Sequence, residues 1–474
     1  MEQKMIKPSP SFLLACSAFL LFSFLVVPAQ KAAKPGGGAC PTPKPPPSET
    51  SCYATAAGCL DNLFGTFGLV TTTLNSEQGN HIKTLVQQPD GKIVGIGTIS
   101  NSGIGTSADI LVARYNEDGS LDRAFGRPDP ANPGSMLGYT WAVFSVDQDN
   151  GVAGALQADG KILAAGNFGS GDGWAVARFN QDGSPDTSFS GDGMLTISSP
   201  GAGAGTVKIL SDGKILVGGD PGFTVIKLND DGSFDTSFGN GGSVTYRLGA
   251  YYSAGQSMAI QRVPAVTGEE MIVGAGSYKS SRNGQTSFAV TRLRSSGSVD
   301  TSFGSGGTAL TGFNANNDQA RSVAIDSQNR VVAFGVTISS CTNGDFAVAR
   351  YSENGMLDRS FSGDGKAILD VYGENNSTGG IIAQSDGKTV LGGNARYINN
   401  SGASTYYFTL IRLNEDGSPD AGFGPGGSGP GVVTTRFPDA VLSSYVYGMT
   451  QQSDGKIVAG GVSSSRLALA RYWQ

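Results

Sequence analysis

Polar side chains at alternate positions of short turn-like stretches are the first candidates for chemistry in this sequence. The stretches are Asn116–Asp122, Asn180–Asp186, Asn229–Asp235 and Asn414–Asp420. Calcium loops place oxygen ligands in this way, but an EF-hand loop needs about twelve residues and a terminal bidentate Glu. Because that Glu is missing and Gly follows the second ligand position too soon, the stretches predict hydrogen-bonded turns. Calcium binding is the less favoured alternative, and we predict no other cofactor.

Residue combinations that support catalysis are scarce. The chain contains a single His, His81, which excludes His pairs and His-rich metal sites. It has neither a G-x-S-x-G nucleophile motif nor a C-x-x-C pair. We therefore predict no catalytic residue and no metal ligand, although carboxylate or tyrosine chemistry stays open as an alternative.

Aromatic side chains are the better candidates for a binding role. Tyr and Trp are favoured at recognition surfaces because they combine a large apolar area with a polar group. They are also frequent in β-sheets, so a structural role is the alternative. The predicted ligand-binding residues are Tyr139, Trp141, Tyr251, Tyr252, Tyr278, Tyr397, Tyr406 and Tyr445.

A unit of about sixty residues, repeated seven times, must position these side chains. Its clearest copy, Ser211–Val244, reads SDGKILVGGDPGFTVIKLNDDGSFDTSFGNGGSV. The D-G-K turn begins at Asp90, Asp159, Asp212, Asp386 and Asp454, with degenerate copies at 263–271 and 327–330. The Phe of L-D-x-S-F-G is Phe64, Phe125, Phe189, Phe238, Phe303, Phe361 or Phe423. The basic residue of A-V-A-R-Y is Arg114, Arg178, Lys227, Arg292, Arg350, Arg412 or Arg471.

Each unit predicts four short strands and two hairpins. In the third unit the strands are Thr206–Leu210, Lys214–Gly218, Phe223–Leu228 and Gly242–Arg247, which are rich in β-branched and aromatic residues. In the first hairpin turn of the first unit, Pro89 suits a type I turn and Gly91 can then take the left-handed conformation of a bulge. The mature chain shows no helical periodicity.

The phase of the repeat at the two ends predicts a ring. The last unit stops at Gln474 after its third strand, and the missing L-D-x-x-F-G strand stands at Leu60–Leu74 instead. Pairing of this N-terminal strand into the last unit would remove unpaired sheet edges. We therefore predict an all-β fold, a seven-bladed β-propeller of four-stranded blades that is closed by its N-terminal strand.

The unit resembles the delta-60 repeat of bacterial secreted proteins. The resemblance is carried by Q-x-D-G-K-I-V-x-G-G followed by F-A-V-A-R-Y-N-x-D-G-S-L-D-x-S-F-G-x-G-G, and it covers roughly Gly58–Gln474. The unit is also similar, more distantly, to the NHL and YWTD propeller repeats. The resemblance implies a propeller in an extracytoplasmic setting and brings no catalytic residue. The fourth unit departs most, with Val263–Gly268 inserted in its first hairpin.

Strand alternation predicts two unlike edges of the sheets. The tight D-G-K and D-G-S hairpins should share one edge, and longer, variable connections should share the other. The predicted variable connections are Thr98–Ala108, Gly134–Thr140, Ser198–Gly205, Gly249–Gln256, Ser277–Thr286, Asn394–Thr405 and Arg436–Tyr445. Variable loops on a rigid scaffold commonly carry function, so we place the aromatic binding site at this second edge.

The side chains that recur in all seven units have a structural interpretation. Phe at one phase of every unit predicts core packing. The basic residue of A-V-A-R-Y and the Asp of the next strand predict a contact made once per blade, which could fix blade register if it is buried. The Asp residues are Asp61, Asp122, Asp186, Asp235, Asp300, Asp358 and Asp420.

The N-terminus predicts export. Met1–Ala29 has the basic start, apolar run and small-residue cleavage site of a signal peptide, and Gln30–Ala57 is a Pro- and Gly-rich linker. A lipoprotein box ending at Cys16 is the less favoured interpretation. Among Cys40, Cys52, Cys59 and Cys341, a local Cys52–Cys59 disulfide is favoured over metal binding, although connectivity is not determined by the sequence.

Charge narrows the range of partners. The net charge is −6, and it becomes −7 once Glu2, Lys4 and Lys7 leave with the signal peptide. An acidic surface repels nucleic acid and anionic lipid, so we expect the protein to bind neither. No other stretch predicts a membrane span. We also expect a monomer. The prediction is a secreted, non-enzymatic propeller that binds a protein or glycan. The alternatives are a lyase or glycoside hydrolase with a site at the channel mouth, and a passive spacer.

Overall fold

Antiparallel strands account for all regular secondary structure in the part of the chain that the computed structural model describes. That part comprises residues 55–74, 79–101, 107–169, 171–198, 203–248, 251–263, 268–313, 317–338, 344–373, 375–399, 401–424, 429–438 and 443–474, with backbone alone for 251–256. All of it belongs to one compact unit, Pro41–Gln474. The predicted signal peptide and most of the predicted linker lie outside the described residues.

The described strands follow the chain in order. They are β1 (Leu69–Thr72), β2 (His81–Gln87), β3 (Ile93–Ile99), β4 (Asp109–Tyr115), β5 (Tyr139–Ala142), β6 (Asn150–Leu156), β7 (Ile162–Phe168), β8 (Gly173–Phe179), β9 (Met194–Ser198), β10 (Ala204–Ile209), β11 (Ile215–Gly219), β12 (Phe223–Leu228), β13 (Ser243–Tyr246), β14 (Tyr251–Val263), β15 (Glu269–Lys279), β16 (Thr286–Leu293), β17 (Thr308–Thr311), β18 (Asn317–Ile325), β19 (Val331–Ile338), β20 (Asp345–Tyr351), β21 (Lys366–Leu369), β22 (Asn376–Ala383), β23 (Thr389–Ile398), β24 (Ser404–Leu413), β25 (Val432–Thr435), β26 (Ser444–Gln451), β27 (Ile457–Ser463) and β28 (Arg466–Tyr472).

These strands form seven antiparallel groups of four, which we number along the chain. Sheets one to six are β2–β5, β6–β9, β10–β13, β14–β17, β18–β21 and β22–β25, and sheet seven contains β26, β27, β28 and β1. Sheets four and five are joined by a single parallel pair, Thr286 with Asn317. The four strands predicted for the third unit agree with β10–β13 to within one or two residues at each end.

The N-terminal strand lies at the outer edge of the last sheet. β1 pairs with β28 from Leu69 opposite Ala470 to Thr72 opposite Leu467, and Leu60 forms a further bridge with Tyr472. The strand that follows the predicted linker is therefore the fourth strand of sheet seven.

Neighbouring sheets bury the apolar core between them. One cluster joins Phe64 to Ile82 and Leu85 of sheet one and to Val458 and Leu469 of sheet seven, all of them buried. All seven repeat phenylalanines are at most 1% exposed, as the core interpretation predicts. Truncating one of them to Ala would cost about 3–5 kcal/mol.

A backbone hydrogen bond of 2.7–2.9 Å recurs between consecutive sheets. The donor lies one residue after the repeat Phe, and the acceptor is a carbonyl in the D-G-S turn, or its equivalent, of the following sheet. The pairs are Gly65 to Asp118, Gly126 to Asp182, Ser190 to Asp231, Gly239 to Ser296, Gly304 to Asn354, Ser362 to Asp416 and Gly424 to Ala57.

The tight turns have the geometry that the sequence predicts. Gly91 has a φ of +85° and donates its N–H to the carbonyl of Gln88, as a type I turn followed by a left-handed residue requires. In the second hairpin turn, Asp118 Oδ1 accepts hydrogen bonds from Ser120 N at 2.8 Å and from Ser120 Oγ at 2.6 Å. The acidic residues at these positions therefore stabilise turns within their own stretch.

A buried ion pair is repeated in every sheet, and we call it the Arg–Asp bracket. It joins the basic residue of the third strand, an Asp of the following segment and the repeat Phe. The pairs are Arg114–Asp122, Arg178–Asp186, Lys227–Asp235, Arg292–Asp300, Arg350–Asp358, Arg412–Asp420 and Arg471–Asp61. In the last pair the two partners come from opposite ends of the chain.

The bracket of sheet four shows how its charges are satisfied. Arg292 Nη2 lies 2.6 Å from Asp300 Oδ2, and its Nε donates to the same oxygen at 2.7 Å. Arg292 Nη1 donates to the carbonyl of Glu353 in the next sheet at 2.6 Å. The guanidinium carbon lies 4.7 Å from the ring centroid of Phe303. The predicted contact is thus a buried link within one sheet and to the next.

Candidate functional site

The eight predicted aromatic residues all lie in strands rather than in the connections between them. Tyr251 and Tyr252 are in β14, Tyr278 is in β15, and Tyr397 is in β23. Tyr406 is in β24, Tyr445 is in β26, and Tyr139 and Trp141 are in β5. The side chains of Tyr251 and Tyr252 lie outside the described part. Most of the others are near the strand ends that border the variable connections.

One expected connection is on the other edge. Gly134–Thr140 was expected among the variable connections, but it lies between β4 and β5, the third and fourth strands of sheet one. Because neighbouring strands run antiparallel, this connection shares the edge of the D-G-S turn. Tyr139 therefore begins β5 at the tight-turn edge, which corrects its predicted position.

Two of the predicted tyrosines meet in a cluster built from three consecutive sheets. The ring centroids of Tyr406 and Tyr445 are 5.0 Å apart. Tyr445 stacks on Tyr447 at 6.3 Å with an interplanar angle of 6°, and the edge of His81 meets Tyr447 at 5.8 Å. Lys83 Nζ lies 3.4 Å from the ring centroid of Tyr447. We call these five residues the aromatic–lysine cluster.

The strands that carry the cluster place it at the edge of the variable connections. Tyr406 is near the start of β24 in sheet six, Tyr445 near the start of β26 in sheet seven, and His81 begins β2 in sheet one. Each of these strands starts at the edge opposite the tight turns. The cluster therefore lies on the edge predicted for the variable connections. Four of its five residues are in β26 and β2, the first strands of sheets seven and one.

A β-bulge directs two of its members. The β2–β3 register shifts between Ile82 and Thr84, which leaves Lys83 as the extra residue, and the β26–β27 register shifts in the same way around Tyr447. A bulge re-aims the side chain of its extra residue, and here it brings Lys83 and Tyr447 into contact.

Burial alters the acid–base properties of the cluster. Lys83 is half-buried, and this desolvation lowers its pKa to about 8. Burial also lowers the pKa of His81 and outweighs the hydrogen bond from its Nδ1 to the Gly79 carbonyl, which by itself raises that pKa. The imidazole is therefore mainly neutral at pH 7. The pKa of Tyr447 is raised by burial and by Tyr445. The charged form of Lys83 is thus disfavoured by its surroundings.

Two other predicted aromatics form a separate group. Tyr139 and Trp141 lie 6.0 Å apart, and the Arg127 guanidinium stacks on Trp141 at 3.9 Å. Tyr139 is buried and donates its hydroxyl to the Leu74 carbonyl at 3.0 Å, so it has a structural role in sheet one.

The remaining predicted aromatics are apart from the cluster. The ring of Tyr397 meets Tyr372 at 5.8 Å, and the Tyr372 hydroxyl donates to Thr434 Oγ1 at 3.0 Å. Tyr278 lies opposite Tyr252 in the β14–β15 register. Of the six predicted aromatics whose side chains are described, Tyr406 and Tyr445 are the two that belong to the aromatic–lysine cluster.

Sequence reasoning missed Lys83, His81 and Tyr447, although a signal for two of them exists. Lys83 and Tyr447 stand seven residues before the Asp of a D-G-K turn. The residues at this phase in other units are Val152, Gly205, Arg321 and Gly379, with Arg321 placed by the degenerate turn of its unit. The positions on either side are uncharged in all six of these units, whereas this one also carries Lys, Arg or Tyr. Such variation in a repeat indicates a position free to serve one site.

An open groove of about 900 Å³ lies at the opposite edge. It is bordered by the D-G-K turns of several sheets, including Gln87, Gln384, Ser385 and Ser453. The Gln384 side chain is buried, and its amide group has no hydrogen-bond partner among the residues that the structure describes. Because turns of this kind border every sheet, whereas the cluster occurs once in the described residues, the cluster is the stronger candidate site.

Metal ligands are not grouped in the described ranges, where no set of three or more His, Cys, Asp or Glu side chains could hold an ion. Cys59 is disulfide-bonded, and its partner lies outside the described residues. The predicted Cys52–Cys59 pairing therefore stays a prediction, as does calcium binding. In the same described ranges, we find no helix with the length and apolar character of a membrane span.

Comparison with known proteins defines the class. Seven segments of the chain match the model of a family described as "Domain of unknown function (DUF5122) beta-propeller". The matched residues are 88–125, 157–189, 210–238, 271–303, 329–361, 384–423 and 452–474. Together with the four-stranded sheets, this match shows that the chain is a β-propeller built from sequence repeats. None of the curated proteins matches the chain.

Solved structures similar to this chain are remote in sequence. A protein of unknown function from Dyadobacter fermentans DSM 18053 shares 12% identity with a TM-score of 0.40, covering 85% of this chain and 99% of that one. The β-propeller domain of the Trilobed protease from Pyrococcus furiosus shares 9% identity with a TM-score of 0.39, covering 82% and 93%. The PQQ-bound aldose sugar dehydrogenase from Streptomyces coelicolor shares 13% identity with a TM-score of 0.37, covering 68% and 93%. These likenesses carry no inference about function.

Proposed function

We propose that this protein is an extracytoplasmic, non-catalytic propeller that binds a glycan or a protein through the aromatic–lysine cluster. The observation that carries the proposal is the convergence of three consecutive sheets on one cluster at the variable edge. Stacked tyrosines offer a flat apolar surface with polar hydroxyls, which suits both sugar rings and protein side chains.

The proposal includes a closed ring of seven blades. The pairing of β1 with β28 and the repeated backbone hydrogen bond, which also joins Gly65 to Asp118 and Gly424 to Ala57, support closure. A closed ring would hold sheets six, seven and one in fixed register, and the cluster depends on that register.

A binding role is favoured over catalysis because the first strands of the sheets carry few carboxylates. The first strands of the seven described sheets contain one carboxylate, that of Asp318. It accepts hydrogen bonds from Thr337 Oγ1 at 2.6 Å and from Phe313 N at 2.8 Å. Glycoside hydrolysis usually needs a pair of carboxylates across the substrate. A passive spacer would need no such cluster.

A glycan array probed with the wild-type protein and matched variants tests the proposal. Tyr445→Ala removes the central ring of the stack, and loss of an aromatic anchor of about 2 kcal/mol weakens binding by about thirtyfold. Binding that survives Tyr445→Ala and Tyr406→Ala unchanged would place the site elsewhere.

Two controls locate the site. Ser385→Trp fills the groove at the tight-turn edge, where Ser385 is exposed, and it should leave binding unchanged. Tyr278→Ala removes a predicted aromatic outside the cluster and should be equally silent. Loss of binding in Ser385→Trp with retention in Tyr445→Ala would assign function to the groove instead.

The extracytoplasmic setting has its own test. We propose cleavage after Ala29, and the mass of the protein recovered from outside the cytoplasm should begin at Gln30. A retained Met1–Ala29 segment, or a lipid attached at Cys16, would contradict it.

A further inference from the structure

We propose that the ligand of the cluster is an anionic glycan whose carboxylate pairs with Lys83 while its sugar rings stack on Tyr445 and Tyr406. This inference deepens the proposed function and rests on it. It names the chemical class of ligand, a saccharide that bears a carboxylate, such as a uronic acid oligomer.

The first support is a reversal of charge in the innermost strands. The whole chain is acidic, with a net charge of −6. Strands β2, β6, β10, β14, β18, β22 and β26 instead contain four cations and one carboxylate, namely Lys83, Lys208, Arg262, Arg321 and Asp318. Walls of one sign focus the electrostatic field inside a cleft and attract the opposite ion.

The second support is that two of these four cations, Lys83 and Lys208, are not neutralised as the others are. Arg262 pairs with Glu270 at 3.2 Å, at the tight-turn end of β14. Lys83 and Lys208 have no ion pair in the described part of the chain, although both are half-buried and burial lowers the pKa of each. By contrast, the basic residue of every Arg–Asp bracket has a carboxylate within 4 Å.

The third support is the position of Arg321, which is the extra residue of the β18 bulge and thus equivalent to Lys83 and Tyr447. Arg321 interacts electrostatically with Asp220, which follows β11. These two residues belong to the fifth and third sheets, with sheet four between them. Arg321 is therefore within electrostatic range of a sheet that is not its direct neighbour, which places its charge toward the space that the sheets share.

The other described bulge positions carry smaller residues. The bulge residues of sheets three and six are Gly205 and Gly379. Sheet two has Val152 at this position, so the long polar side chains at this level are those of Lys83, Arg321 and Tyr447. A carboxylate placed there would stabilise the ammonium that burial disfavours, and a neutral sugar would not.

Isothermal titration calorimetry of the whole protein with oligogalacturonate and with its methyl ester tests the inference. The two probes share the same sugar and differ only in charge. A charge-assisted hydrogen bond contributes about 1.5–3 kcal/mol, so the acid should bind at least about tenfold more tightly than the ester. Raising the NaCl concentration from about 50 mM to about 500 mM should reduce this preference.

Variants assign the preference to one residue. Lys83→Met should abolish the preference for the acid over the ester, whereas Lys83→Arg should restore that preference in part. Lys279→Met removes another cation from the variable edge, in sheet four, and should keep the preference. In the wild type the preference should fall between about pH 7 and about pH 9, because Lys83 loses its proton in that range.

The outcomes separate this inference from the proposed function. Equal binding of acid and ester, or a preference for the acid that survives Lys83→Met in a folded variant, would contradict pairing of a ligand carboxylate with Lys83. The proposed glycan site would still stand. Tighter binding of a heparin oligosaccharide than of oligogalacturonate replaces the carboxylate with a sulfate and overturns the inference. If neither probe binds and the glycan array is also blank, both the inference and the proposed function fail.

Discussion

Two of the contacts between a cation and an aromatic ring in this propeller, one in a bracket and one in the cluster, differ in what surrounds the cation. In the Arg–Asp bracket of sheet four, Arg292 lies 4.7 Å from Phe303 and is paired with Asp300. In the aromatic–lysine cluster, Lys83 lies 3.4 Å from Tyr447 with no carboxylate beside it among the described residues. The bracket is repeated in all seven sheets, whereas the cluster occurs once in the described part.

The comparison teaches how to separate scaffold from site in a repeat protein. A buried charge that is fully paired belongs to the frame, because removing either partner leaves the other uncompensated. A desolvated charge without a partner reduces stability, so it is expected where a ligand completes it. Repetition alone would have favoured the seven brackets as the candidate site. The desolvated charge of Lys83, which no carboxylate accompanies among the described residues, favours the single cluster.

Removal of a bracket carboxylate is the largest effect that we predict. Asp300→Ala leaves Arg292 buried and uncompensated, and the free energy of unfolding should fall by about 3–5 kcal/mol. Urea denaturation measures the change. Asp147→Ala removes an exposed carboxylate and should stay within about 0.5 kcal/mol of the wild type. A loss below about 1 kcal/mol in Asp300→Ala would contradict a stabilising role for the bracket.

Acid should weaken the brackets. Burial alone would raise the pKa of Asp186, but hydrogen bonds from Ser188 and the charges of Lys161 and Arg178 lower it to about 2. A lowered carboxyl pKa contributes stability above the unfolded value of about 4 that is lost as the pH falls through about 2.

Asp186→Asn tests this dependence. The difference in unfolding free energy between wild type and Asp186→Asn should narrow by about 1–2 kcal/mol between pH 6 and pH 2, as measured by denaturation at each pH. A constant difference over this range would show that Asp186 is not held ionised by its bracket.

The smallest predicted effect is a gain in stability, rather than a loss, when a charged side chain is removed. The pKa of Lys83 is lowered to about 8, so between about pH 8 and about pH 10 the unfolded chain binds more protons and stability should rise with pH. Lys83→Met should therefore equal or exceed the wild type by up to about 1 kcal/mol at pH 7 and should lack this rise. A clear loss of stability at pH 7 would make Lys83 a member of the frame and remove the contrast with Arg292.

Much of the frame could be predicted because its determinants are local. The turn at Gly91 depends on one left-handed residue, and the Arg292–Asp300 pair spans eight residues of continuous chain. Strand bounds, hairpin turns and the buried phenylalanines follow from such short-range patterns. The pairing Arg471–Asp61 could be predicted as well, because the phase of the repeat assigns the two ends to one sheet.

The structure corrects the position of one predicted connection, and the predicted binding residues stay a prediction. Gly134–Thr140 was placed on the variable edge because it differs between units, but length and variability do not say which pair of strands a segment joins. The aromatics were chosen by residue type, and this choice selected Tyr139, whose hydroxyl is engaged by the Leu74 carbonyl.

The amino-acid sequence by itself determined the repeated unit, its strands and turns, and the bracket that each unit carries, because these depend on residues close together in the chain. Only the tertiary structure decided which single residues meet. Lys83 and Tyr447 belong to opposite ends of the chain, and their shared phase in the repeat does not say that their side chains meet. They touch because sheets seven and one pack side by side and because a bulge at the same register turns both side chains toward the same space.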